Sequence, residues 1–183
     1  LHLVNTFGLL AFLALALDAS RNPAVPDRGA TPSRWALVGG VVALLLLGAT
    51  GAISSMGDQI FPASSLAAGL GADLDPASHF LVRLRGIHPF VAVSAGLYLA
   101  TTVSLVTRWL PSAAVRRWGG RFLGLFVAQL ALGLTSLLML APLPLQMMHL
   151  LLSDILWISF VLFSAAAVRA ETVRAPSPTE ATR

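Results

Sequence analysis

Five separate runs of this chain are too long, too apolar and too poor in charge for the core of a small water-soluble domain. They lie at about 1–18, 35–54, 86–107, 120–140 and 145–168. Crossing the roughly 30 Å hydrocarbon layer of a bilayer takes about 20 helical residues. Inside that layer every backbone N–H and C=O needs a partner within the segment, which makes the α-helix the form such a run adopts. The composition agrees, with 56% of the 183 residues hydrophobic and 11% charged, against about 25% charged in soluble domains. The expected fold class is all-α integral membrane, with five transmembrane helices.

The segments between the runs set the expected orientation. "DASRNPAVPDRGATPSR" joins the first two spans and carries Arg21, Arg28 and Arg34. Arg108, Arg116, Arg117 and Arg121 flank the turn between the third and fourth spans, and Arg169 follows the fifth. The segment of about 55–85 instead carries Asp58, Asp73 and Asp75, with Arg83 and Arg85 at its end as the exception. The proline turn "APLP" between the last two spans has no charge. The positive-inside rule therefore places the arginine-bearing loops and the C-terminus in the cytoplasm of an inner (plasma) membrane protein. The domain reading is helix 1–18, cytoplasmic linker 19–34, four-helix bundle 35–168 and disordered cytoplasmic tail 169–183.

Several function classes fall away. The net charge of +4 comes from arginines beside the apolar runs, so topology accounts for it and nucleic acid is not an expected partner. The chain has no cysteine, which removes disulfides, thiolate zinc sites and thiol chemistry. No Gly-rich phosphate loop, serine triad or paired carboxylate site is present. The chain opens inside an apolar run, without methionine and without a basic region before it. That start does not read as a signal peptide, and the expectation is a piece of a longer protein.

Four histidines remain to be explained. His88 lies 20 residues before Arg108, His149 lies 20 before Arg169, and His2 lies 19 before Arg21. At about 1.5 Å per residue each separation is roughly 30 Å of helix. All three are expected at the outer edge of the hydrocarbon layer, with His79 outside that scheme in a loop. Ionisable groups at such depth are costly, and function is the usual reason for them. Against this stands ordinary packing or interfacial hydrogen bonding, the better account of any one histidine alone. Matching positions on two spans favour ligation. Imidazole is a common axial ligand of heme iron, and a porphyrin between helices needs one ligand from each side at equal height. With no thiolate available, heme iron fits better than zinc or a di-metal site. His88 and His149 are the expected bis-histidine pair.

Other polar residues carry two readings each. Arg83 and Arg85 sit beside His88, either as clamps on heme propionates or as snorkelling interfacial arginines. Gln129, deep in the fourth span, reads mainly as an interhelical hydrogen-bonding residue. Gly124 and Gly133 permit close approach of a helix or a porphyrin. Asp154 points to a different face from His149, as a partner for a buried donor such as Gln129 or as a proton relay. Asp58 reads as a turn or cap residue. The tryptophans mark the membrane boundaries, apart from the deep Trp157.

"LHLVNTFGLLAFLAL" and "MHLLLSDILWISFVL" both place a histidine before an apolar helix with a hydroxyl residue four positions on, Thr6 and Ser153. This weak internal match suggests that the first helix closes one repeat and the other four form a second. At this point the chain resembles the C-terminal half of the heme A synthase family. "LHLVNTFGLL", "GATGAISSMGDQIFPAS", "RLRGIHPFVAV" and "AQLALGLTSLLMLAPLPLQMMHLLL" occur in the family's order. The resemblance implies two similar four-helix halves, each with a histidine pair, and oxidation of a heme O methyl to the formyl group of heme A. It implies that His88 and His149 hold an electron-relaying heme b and that His2 is one ligand of the substrate heme. Residues 1–18 would then be the last helix of a truncated first half. The catalytic residues are unknown and expected in that first half, so this stretch would bind heme b without catalysing. The outer-loop cysteines of some members are absent. Implied partners are heme, the lipid bilayer, heme O synthase and cytochrome oxidase assembly proteins. Two other readings compete: a bis-histidine b-type cytochrome taking electrons from quinol, and a heme-free membrane assembly subunit.

Overall fold

The computed structural model describes residues 2–22 and 31–174. Its elements are α1 (His2–Arg21), α2 (Pro32–Ile60), α3 (Leu66–Leu74), α4 (Phe80–Arg85), α5 (Ile87–Trp109), α6 (Ala113–Leu138) and α7 (Leu143–Arg174), with no strand among the described residues. Five stretches of helix are long and apolar enough to cross a membrane, α4 and α5 counting as one. The protein is an all-α, multi-pass membrane protein.

Local chemistry explains where the helices start and break. The Thr31 side chain accepts from Arg34 N at 3.4 Å, and Ser65 accepts from Ala68 N at 3.2 Å; each satisfies one of the unpaired N–H groups at a helix start. Pro89 has no N–H to give the Arg85 carbonyl four residues back, and its ring crowds that carbonyl. The helix accordingly breaks at Gly86 and restarts at Ile87, which puts Pro89 in the first turn of α5. Between α6 and α7 the chain reverses through Leu140 and Ala141 at φ 61° and 52°, a strained conformation for L-residues. It is held by Ala141 N donating to Ser136 O at 2.7 Å and Gln146 Nε2 donating to Ala141 O at 2.5 Å.

Helices α2, α5, α6 and α7 close a ring in that order, with α1 docked outside against α7. α3 and α4 fold over the α2–α5 end that carries His88. Two contacts fix the register of α1: the Trp157 indole N–H donates to Phe7 O at 2.8 Å, and Arg169 pairs with Asp18. The sequence offsets of 150 and 151 are nearly constant, so α1 and α7 run parallel and His2 lies about a turn from the level of His149. The Trp157 and Phe7 rings also stack at 4.9 Å. Trp157→Phe keeps the stack and loses the hydrogen bond, an expected cost of about 1 kcal/mol that a lowered thermal midpoint in detergent would report.

Two segments depart from the sequence reading. Residues 55–85 form the last turns of α2 together with α3 and α4, where a loop was expected. α7 runs on past residue 168 to Arg174, because Arg169 binds Asp18 and Glu171 accepts from Thr31 Oγ1 at 2.9 Å and from the Ser33 hydroxyl. The expected disordered tail therefore cannot begin at 169; residues 175–183 lie outside the described residues, as do residues 23–30 of the expected linker.

Packing is uneven along the bundle. Leu99, Val103, Phe122, Phe160 and Phe163 fill the half nearer the arginines. On α7 eight residues are buried between 156 and 167 and none between 143 and 155, so the histidine-bearing half is thinly filled. In lipid, helices associate through close packing and interhelical hydrogen bonds rather than through water exclusion. The arginine half supplies the first; the histidine half relies on the second.

Candidate functional site

His88 and His149 lie near the starts of α5 and α7, at the thinly packed end. Each imidazole lies against a glycine of the neighbouring helix. A Cβ on Gly51 of α2 would meet His88 Cε1 at 3.2 Å, and one on Gly133 of α6 would meet His149 Cε1 at 3.0 Å. Any side chain at either position would push the ring away. Each ring also has one polar partner on that same neighbouring helix: Thr50 Oγ1 lies 3.0 Å from His88 Nδ1, and Gln129 Nε2 lies 3.1 Å from His149 Nε2. Gln129 also donates to His149 O at 3.0 Å. The pairs α2–α5 and α6–α7 thus use one device twice, a histidine near a helix start on a facing glycine with a polar anchor nearby.

Two buried polar atoms at this place have no hydrogen-bond partner, His149 Nδ1 and Gln129 Oε1. Buried polar atoms are nearly always paired, so the orphans mark a site whose bonding is incomplete in the protein alone. Among the described residues no group of three or more His, Cys, Asp or Glu side chains is placed to hold a bare metal ion. Two imidazoles alone suit an iron whose other four positions are filled by a porphyrin. The donor set fits such a group, and α7 has no buried residue between 143 and 155 around His149.

The other expected site residues lie elsewhere. Arg85 is only 9% exposed, and its guanidinium is committed inside the protein. It binds Asp73 Oδ1 at 2.9 and 2.7 Å, Asp58 Oδ1 at 3.1 Å, Phe61 O at 3.3 Å and Gly69 O at 3.4 Å. With its five donors used, it braces α2, α3 and α4 together and has none left for a propionate; that expectation is corrected, and Asp58 is its ion-pair partner rather than a simple cap. Arg83 is exposed in the last turn of α4. His2 is exposed at the start of α1. His79 caps α4, accepting from Leu81 N at 3.3 Å, with its ring between Phe61 and Phe80. Gln129 bonds His149 and not Asp154, which is half-buried on α7. A Cβ added at Gly124 would meet nothing from another element within 4 Å. Thr50 and Gly51 were not singled out from sequence; the only signal was their place within "GATGAISS".

The comparisons with known proteins follow the same line. Residues 1–161 match the model of the family described as cytochrome oxidase assembly protein, COX15-CtaA. Two proteins named protoheme IX farnesyltransferase, from two strains of Thermus thermophilus, are each 42% identical over 168 residues. The match covers 91% of this chain and 28% of each relative's length, so the chain spans less than a third of those proteins. No solved structure matches the chain significantly. With a family match over residues 1–161, the chain belongs to the COX15-CtaA family of cytochrome oxidase assembly proteins, the heme A synthase family whose motifs it resembles.

Proposed function

We propose that this chain is the heme b-holding part of a membrane oxidoreductase that forms heme A from heme O, with His88 and His149 as axial ligands. The observation that supports this reading is the pair of imidazoles, each against a glycine and each with a polar partner on the neighbouring helix, near the helix starts at the thinly packed end of the bundle. Bound there, heme b supplies one-electron transfer, with a potential set by its axial ligands and their hydrogen bonds. The chain's own residues do the rest. Gly51 and Gly133 admit the rings, and Thr50 and Gln129 orient them. His2, on α1, is assigned by resemblance to a second ligand pair that holds the substrate heme. The arginine ends of the helices are cytoplasmic in this reading, which puts the site near the outer face.

The relatives' name records farnesyl transfer to protoheme IX. We assign that transfer to the portion of those proteins outside the aligned stretch, because nothing in the site described resembles a transferase centre. Reduced-minus-oxidised spectra of the purified protein test the main reading: a low-spin b-type band is expected, and its absence would leave a heme-free assembly subunit. The longer protein incubated with heme O, or with protoheme IX and a farnesyl donor, then separates oxidation from farnesylation by product analysis. A heme band without either product would favour the quinol-fed cytochrome. Gly133→Ala is expected to weaken heme binding about tenfold, since overpacking costs roughly 1–3 kcal/mol and each 1.4 kcal/mol is about a factor of ten; heme titration of the apoprotein reads this.

A further inference from the structure

Thr50 has one hydrogen and three neighbours that compete for it. Its Oγ1 lies 3.0 Å from Leu46 O and 3.1 Å from Leu47 O, both carbonyls of its own helix, and 3.0 Å from His88 Nδ1. The carbonyls accept only, so without the hydroxyl hydrogen between them three oxygens would face one another lone pair to lone pair. The hydrogen therefore goes to the helix carbonyls, a common arrangement for threonine in helices. What remains toward His88 is an oxygen lone pair, and only an N–H can meet it.

We infer that Thr50 is a positioning residue that holds His88 as the Nδ1–H tautomer, leaving the Nε2 lone pair to face the site. This inference rests on the reading of His88 as a heme ligand, and it adds which nitrogen binds and what tunes it. Histidine ligands are usually oriented by a hydrogen bond from the other ring nitrogen, which also makes the imidazole a stronger donor. That second bond reaches His88 from α2. A stronger imidazole donor stabilises ferric over ferrous iron and lowers the potential.

The test compares Thr50→Val with Thr50→Ser in the heme-loaded protein, with histidine tautomers read independently. Valine keeps the shape and removes the acceptor; serine restores it. Redox titration of Thr50→Val is expected to show a tenfold shift of the oxidised-to-reduced ratio toward the reduced form at fixed potential, about 59 mV upward for one electron. Thr50→Ser is expected to titrate like the parent, which a purely steric role for Thr50 does not predict. In the ¹⁵N-histidine-labelled apoprotein, His88 is expected to show a protonated Nδ1 and a bare Nε2, with that preference lost in Thr50→Val. A His88 protonated on Nε2 in the parent, or a potential unchanged in a Thr50→Val protein that keeps its low-spin band, overturns the inference. Absence of any heme band in the parent instead overturns the heme reading, while the tautomer measurement still decides the role of Thr50.

Discussion

Replacing either His88 or His149 by alanine is expected to abolish the low-spin heme spectrum proposed for this protein, whereas His79→Ala leaves it intact. A low-spin iron needs both axial positions filled, and the two imidazoles that share the open half of the bundle are those of His88 and His149. Loss of either leaves a vacant axial position that no other described histidine reaches, since His79 is held between Phe61 and Phe80 at the start of α4 and His2 is exposed at the start of α1. The effect is all-or-none for the low-spin band, which makes it the sharpest test of the site. Optical spectra of the variants in detergent, with protein quantity checked by heme-independent means, would measure it. A low-spin band that survives either substitution removes the proposed ligand pair.

Arg85→Met is expected to cost the fold about 3 kcal/mol, the low end of what is found when one partner of a buried ion pair is removed. The substitution leaves Asp58 and Asp73 facing each other's charge without a cation, and it frees Phe61 O and Gly69 O at the same time. Thermal unfolding should show the loss. Adding Asp58→Asn and Asp73→Asn should recover part of it, because the damage comes from the orphaned carboxylates. The position of the heme band should not move, since the guanidinium is spent on the α2–α3–α4 brace. If Arg85 instead held a propionate, the variant would release heme or shift its spectrum while the fold stayed stable.

The spans, the class and the pair of ligand candidates were legible in the chain because each is written in local terms. Apolar length marks a membrane helix wherever it occurs, and His88 and His149 stand out by equal distance from Arg108 and Arg169. Arg85 shows where such reading stops. Its neighbours in sequence pointed to the heme edge, but Asp73 and Asp58 lie 12 and 27 residues away and meet it only because 66–74 and 80–85 are helical. The tail reading failed at 169–174 for a related reason: polarity suggested disorder, yet Arg169 and Glu171 are satisfied by Asp18, Thr31 and Ser33 on other helices.

What the chain determined by itself is the solvent it folds in, since hydrophobic length marks each of the five spans without reference to any neighbour. What tertiary structure alone decided is which surfaces the imidazoles of His88 and His149 meet. Gly51 and Thr50 reach His88, and Gly133 and Gln129 reach His149, only through the order in which α2, α5, α6 and α7 close their ring. A glycine or a hydroxyl inside an apolar helix carries no mark of the ring it will face, because contacts at 3 Å depend on helix rotation and crossing that no single helix encodes.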